Sequence, residues 1–488
     1  MLSKVTGIIF AACFALLCGA AAFAQDAERT PARLAKDKIS ISVGAPNGSI
    51  APLLGVNAGP SPAGAKGNAE LTVEYQVAGV TMVRTHDYYG PFDLSVIYPD
   101  INADPLKPES YDFTQTDKIF DSIRDGGFEP YLRLGDSYNN VRIPRNEREL
   151  MNLSAAAVEV ARRYIEKSCD GLGPEIRYVE IWNEPDFKRF WPGDFDMFLL
   201  FFTETFSKLK KEFPKIKVGG PGFVVSTYKV PEQRAVAGHF FDYLRIRGII
   251  PDFISFHMYS NDPAEYYDAA LFYRDAALKA GIKKAKIHIT EWNTEREGHG
   301  RNITFGREAA PRITAIWIAL QEAGVDASLI YRGNDTNIDK PDFYGIFTAD
   351  GREKPAAKTF TLWEEMTRYP RRCIVQTGVS LIDRVPSVKG ELSPLWILAG
   401  DNGKGDCALL IANIGDQELR CTLDAGPSPI ESLSITEILG PDADTSSRTV
   451  SGDRLLVAPF SVQLVKFEAS HAKGSIHMLD YDDSLVTS

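Results

Sequence analysis

The chain has 488 residues, 44% of them apolar, and a formal net charge of −11. That length exceeds what one compact core fills, so a large domain with a smaller companion is expected. The acidic balance excludes nucleic acid as a partner, because such binding rests on a basic footprint.

Taken from the N-terminus, residues 1–24 read as an export signal: Lys4 near the start, an apolar run from Ile8 to Leu17, then Ala22-Phe23-Ala24 ahead of Gln25. Leu17 before Cys18 fits lipoprotein processing poorly. No later run reaches the roughly 18 apolar residues that a membrane span requires, so a secreted or periplasmic protein with no membrane span is expected. Cleavage leaves Cys169, Cys373, Cys407 and Cys421 where disulfides persist. Three pairings are possible, and Cys407 with Cys421, on successive strand-like runs, is the favoured one. Cys-x-x-Cys is absent and the seven histidines are scattered, so no metal site is expected.

Residues 25–50 form an N-terminal segment whose alternating "KISISVG", from Lys38, is suited to a strand of a distant sheet. Between Leu53 and Arg332 short β-branched runs alternate with helical segments: "LLGVN", "VTMVRTH", "EPYLRLG", "IRYVEIW", "KIKVGG", "DFISFHMY", "AKIHITEW" and "ASLIYRG". Eight such units predict an α/β fold, a (β/α)8 TIM barrel over 51–370. Two intervening helices are "SAAAVEVARRYIEKS", with Ser154 as its cap, and "DFDMFLLFFTETFSKLKKEF", with acids first and lysines last as the helix dipole prefers. From 371 to 470 alternation and turn signals take over, as in "SPLWILAGDNGKGDCALLIAN", and predict a C-terminal antiparallel β-sandwich. Residues 471–488 are polar and acidic, a loose tail.

In such a barrel the working residues gather at the C-terminal strand ends. Arg84 and His86 end the second run, Glu184 follows the fourth, His257 and Tyr259 end the sixth, and Glu291 ends the seventh. Two carboxylates converging across a cleft are what glycoside hydrolysis uses, one as acid and the other as nucleophile. Their proton affinities must differ, and Arg84 with Tyr259 would keep Glu291 ionised. Glu184 is therefore assigned as acid/base and Glu291 as nucleophile. Glu180 and Asp186 read as supporting charges, and Glu295 as a loop residue. "GVNAGPSPAGAKG" lacks the ending of a phosphate loop, and no Gly-x-Ser-x-Gly elbow is present.

The set "VRTHDYYGPFD", "EIWNEPD", "DFISFHMYS" and "ITEWNTE" resembles glycoside hydrolase family 39, in the clan of barrel glycosidases whose acid/base follows an asparagine on strand four. The resemblance spans the barrel, and the sandwich after it is also what that family shows. It implies a retaining enzyme without a cofactor, acting on an oligo- or polysaccharide. Asn183 would bond the sugar 2-hydroxyl and His86 another ring hydroxyl, while His257 and Tyr259 would line the sugar site and steady the nucleophile. Trp292 and Trp191 would offer faces to sugar C–H groups. "ITEWN" is similar to the β-xylosidase and bacterial exopolysaccharide branches, and "RTHDYYGPFD" departs from typical xylosidases beside the site. A barrel that binds carbohydrate without cleaving it, and an envelope scaffold acting through the sandwich, are the alternatives from other classes.

Overall fold

The computed structural model describes residues 30–31, 39–62, 70–88, 90–137, 140–294, 303–336, 344–377, 391–426, 429–440 and 444–468. The expected signal at 1–24, the tail at 471–488 and Glu295 lie outside them. All eight barrel runs form strands: Gly55–Asn57, Met82–Arg84, Glu129–Leu134, Tyr178–Ile181, Lys217–Phe223, Phe253–Tyr259, Lys286–Asn293 and Ala327–Ile330. They are called strands one to eight below. Each pairs in parallel with the next, and strand eight closes on strand one. Strands this short, buried on both faces, need the β-branched and aliphatic runs by which they were found.

The inside of the barrel is a packed core. At its lower end Tyr131, Phe253 and Leu329 form a small cluster, and His288 stacks on Phe253 with ring centres 4.3 Å apart. Outside, the large cluster joins the strands to the surrounding helices. Asp194 caps helix Phe195–Glu212 by accepting from Asp196 N, and Lys210 and Lys211 lie in its last turn. The helix expected to start at Ser154 in fact runs Glu147–Ser168, capped by Asn146, whose side chain accepts from Glu149 N at 3.0 Å. Ser154 is interior, bonded to Thr205 and Lys208. The upstream "ERELMN" is built from good helix formers, and these carry the helix two turns further back.

The C-terminal region is a nine-stranded, mostly antiparallel sheet. Ile39–Ser49 joins it, antiparallel to Arg371–Thr377 and parallel to Leu419–Asp424. The expected antiparallel sandwich is present with one parallel pairing, because a strand arriving from the other end of the chain has no hairpin to fix its direction. Leu433 and Ile435 near one edge share a core with Leu455 and Val457 at the other, so the sheet folds back over itself in two layers. Along Asp406–Asn413 the side chains divide by parity. Leu409 and Ile411 enter that core, whereas Ala408, Leu410 and Ala412 join the barrel's cluster beside helices Ala309–Glu322 and Pro355–Met366. One strand face therefore bonds the two units together.

Cys169, Cys373, Cys407 and Cys421 are all free thiols. The expected Cys407–Cys421 bond is corrected by topology. Their strands follow one another in sequence but are separated in the sheet by three others, because the chain crosses over between them.

Candidate active site

Strand ends bring the site together, and three local departures from regular backbone aim the side chains. In strand seven the register against strand six shifts between Phe256 and His257, so that Ile289 faces Phe256 but Glu291 faces His257. A bulge of this kind breaks the alternation of sides. Thr290 bonds Glu180 within the barrel at 2.8 Å, and Glu291 still turns inward to Arg84. After strand four the chain leaves regular geometry: Trp182 has φ 76° and Glu184 φ 47°. Left-handed backbone at bulky residues is costly and persists only when surrounding contacts impose it. Here Trp182 Nε1 donates to Phe190 O at 3.1 Å and Glu184 N to Gly222 O at 2.9 Å. Gly222 itself has φ 67°, and a Cβ there would stand 3.0 Å from His257 Nε2. Only glycine admits both that backbone and that approach.

Arg84 lies beneath the pair. It is fully buried and donates from Nε to Glu180 Oε2 (2.7 Å), from Nη1 to Asn57 Oδ1 (2.9 Å) and from Nη2 to Asn183 Oδ1 (2.8 Å). Its Nη1 also stands 3.5 Å from Glu291 Oε2. Tyr259 donates to Glu291 Oε1 at 2.6 Å, while Oε2, with His86 Nε2 at 3.6 Å, has no hydrogen-bond partner. Glu184 Oε1 meets His257 Nδ1 at 2.8 Å. One oxygen each of Glu184 and Glu291, with a ring nitrogen of His257, lie within 4.8 Å of one another. That spacing would also suit metal ligands, but Arg84 already supplies a positive charge beside Glu291 and His257 Nδ1 is engaged by Glu184.

The two carboxyl groups differ in what surrounds them. Burial pushes Glu184 up to about 8, opposed only by the charges of Arg84 and Arg189, so it is protonated at neutral pH. Burial and the neighbouring Glu184 also raise Glu291, but His257, Arg84 and the Tyr259 hydroxyl oppose them. Burial lowers His257 to about 4, which leaves it neutral, so Arg84 and Tyr259 are the groups that oppose the upward push of burial on Glu291. Burial together with the charges of Arg84 and Arg133 holds His86 well below its usual range and keeps it neutral.

Seven of the nine residues named from the sequence thus meet in one hollow: Glu184, Glu291, Asn183, His86, Arg84, His257 and Tyr259. Tyr259 of strand six donates to Glu291, while His257 bonds Glu184 and its Nδ1 also lies 3.9 Å from Glu291 Oε2. Trp292 and Trp191 are not sugar faces. They are 0% and 1% exposed. Trp292 points outward, its Nε1 on Ser328 Oγ at 2.7 Å, and Trp191 packs edge-on against Trp182. Alternation explains the first, since the residue after an inward Glu291 faces the helices. Asn57, Glu180 and Gly222 hold the site without having been named as binding residues. Asn57 ends strand one, so the strand-end rule that found Arg84 would have found it too. Asp186 ties the strand-four loop to the next one through Val224 N and Thr227. Asp87, at φ 62°, takes the Tyr331 hydroxyl and so spans strands two and eight.

An eightfold barrel that carries two buried carboxyl groups side by side at the ends of strands four and seven, one protonated and the other beside a guanidinium, has the arrangement of a class, the barrel glycoside hydrolases. Residues 58–292 match the family described as Glycosyl hydrolases family 39. The β-xylosidase of Geobacillus stearothermophilus is 23% identical over 351 residues, covering 63% of this chain and 66% of that one. The chain thus spans about two thirds of that relative's length. The fold is similar to those of a glucosidase from Croceicoccus marinus (TM-score 0.70, 21% identity, 89% of this chain and 100% of that one) and a family 39 enzyme from Xanthomonas axonopodis pv. citri (TM-score 0.63, 17% identity, 90% and 98%).

The raised affinity of Glu184 has a stability consequence. Its folded-state value of about 8 lies above the ordinary 4.5, so the folded protein binds the extra proton, and stability falls as pH rises from about 4.5 to about 8. Glu184→Gln removes the ionisable group. Its melting temperature should exceed that of the wild type by a margin that grows between pH 5 and pH 9, and a margin independent of pH would refute the burial argument.

Proposed function

We propose that the protein is a retaining glycoside hydrolase that cleaves a β-glycosidic bond by double displacement. The observation that carries the reading is the approach of Glu184 and Glu291 oxygens to within 4.8 Å, one group protonated and the other beside a guanidinium. Retaining enzymes hold their carboxyl groups roughly 5–5.5 Å apart, and inverting ones leave room for a water. Glu291 Oε2, which accepts no hydrogen bond, attacks the anomeric carbon as Glu184 gives its proton to the departing oxygen. Glu184 then takes a proton from the water that releases the sugar. Asn183 Oδ1 is held by Arg84, which leaves Nδ2 free to donate to the 2-hydroxyl. Arg84 also orients Glu291, so the floor of the site and its nucleophile are set by one group.

The substrate is a β-xyloside or a bacterial surface polysaccharide. The xylosidase relative supports the first. The loop carrying Asp87, which differs from the xylosidase pattern and is tied to Tyr331, favours the second. Export by residues 1–24 would bring the enzyme to such a polymer outside the cytoplasm. N-terminal sequencing of the mature protein, expected to begin near Gln25, tests that part, and an intact Met1 in the extracellular or periplasmic fraction would contradict it.

A panel of aryl β-glycosides tests the chemistry. Glu291→Ala should lose at least about 10³-fold in turnover and regain part of it with azide, giving a product of inverted configuration. Glu184→Ala should lose on the order of 10²–10⁴-fold on poor leaving groups and far less on a dinitrophenyl glycoside, which needs no proton. The basic limb of kcat/KM should fall near pH 8 in the wild type and flatten in Glu184→Ala. Tight sugar binding without turnover on any substrate would instead mark a carbohydrate-binding protein.

A further inference from the structure

Arg133 carries buried donors that the reaction above leaves unused. It stands in strand three, opposite Glu180 of strand four in register. Two residues earlier Tyr131 points to the barrel axis, where its hydroxyl meets His288 Nδ1 at 3.0 Å. The period of two turns Arg133 to the same side, one level nearer the strand ends. In the closed ring strand three is four places from strand seven, so Arg133 approaches from across the barrel from Glu291.

Its side chain is fully buried, yet only one nitrogen is engaged: Nη2 lies 3.1 Å from Asp93 Oδ1. Among the described residues Nε and Nη1 have no partner. Asn183 Nδ2, His86 Nδ1, His257 Nε2 and Glu291 Oε2 at the site share that condition, and the first two lie where a sugar hydroxyl can meet a donor. The charge of Arg133 also reaches His86, together with those of Arg84, His257 and Arg332. Buried donors left without acceptors are costly in an empty site and are answered by a ligand that supplies oxygens.

The surrounding charges decide which oxygens. Asp93 pairs with Arg133 directly, and buried Asp136, next to Asp93, lies within its field. Asp93 also accepts from Ser137 N, Ser137 Oγ and Asn140 Nδ2, which fix it in place. The cation is therefore already compensated, and what it has left to offer is hydrogen-bond donors rather than charge. Neutral hydroxyl oxygens match that, and a carboxylate does not.

Resting on the glycosidase reading, we infer that Arg133 is a substrate-binding residue that donates from Nε or Nη1 to a hydroxyl oxygen of a neutral glycon, beside the hydroxyls met by Asn183 and His86. The site then selects its sugar through three donor groups, Arg133 from across the barrel and Asn183 and His86 from the side of Glu291.

Aryl glycosides lacking single hydroxyls at positions 2, 3 and 4 test this against the wild type, Arg133→Lys and Arg133→Gln, with melting temperatures recorded for each. At one position other than 2, the wild type should lose roughly 10- to 100-fold in kcat/KM and the variants less than about 3-fold. Equal penalties in wild type and variants at every position would overturn the inference, and so would a wild-type preference for an aryl glucuronide over the neutral glycoside. Failure of the wild type on every parent glycoside would overturn the glycosidase reading first and this one with it. A second measurement stands if the variants do not fold: a structure of Glu184→Gln with the bound sugar. A sugar oxygen within about 3.2 Å of Arg133 Nε or Nη1 supports the inference, and a water there, or a gap beyond about 4 Å, overturns it.

Discussion

One buried guanidinium organises this site. Arg84 reaches Asn57 on strand one, Glu180 on strand four, Asn183 just beyond it and Glu291 on strand seven. Leaving the donors of a buried arginine unanswered is costly, and for Arg84 the answers come from strands far apart in sequence. Glu180 supplies the compensating charge and is itself held by Thr290. Arg84 also stands 3.5 Å from Glu291 Oε2 and opposes the rise that burial imposes on that carboxyl, whereas Glu184 is pushed up to about 8 and keeps its proton at neutral pH.

The geometry above that floor is held under local strain. Trp182 and Glu184 adopt left-handed backbone, and strand seven is bulged just before its catalytic end. Each departure is enforced by a neighbour: the Gly222 carbonyl on Glu184 N, Phe190 O on the Trp182 ring, and strand six on strand seven. Strain of this sort accumulates where side chains must point somewhere that regular structure would not send them. The second sheet stabilises the barrel from outside. Leu410 and Ala412 face the barrel's helices while Leu409 and Ile411 face the sheet's own core, so the two halves share a strand rather than merely touching.

Much of this was legible in the residues themselves. Eight parallel strands announce themselves as short runs because both faces of each are buried, and polar residues at the ends of such runs have no reason to be there except the site. Glu184, Glu291, Arg84, His86, His257, Tyr259 and Asn183 were found in that way or through the motifs they form. Local patterns could not say which of two inward groups each histidine meets, so His257 turned out to serve Glu184. They also could not separate an aromatic beside the site from one behind it. Trp292 lies next to the nucleophile in sequence, yet alternation sends it into the helix layer.

Sequence alone determined the periodicities, the polar residues at the strand ends and the two carboxyl groups, Glu184 and Glu291, that those ends carry, because these depend on residues within a few positions of each other. Tertiary structure decided the rest. Closure of the barrel set the carboxyl separation and the unanswered donors of Arg133, and the strand order of the second sheet set the crossing that keeps Cys407 from Cys421 and the place of Ile39–Ser49. Those features depend on which distant segments become neighbours and on how much water they exclude, and both quantities arise only when the chain packs.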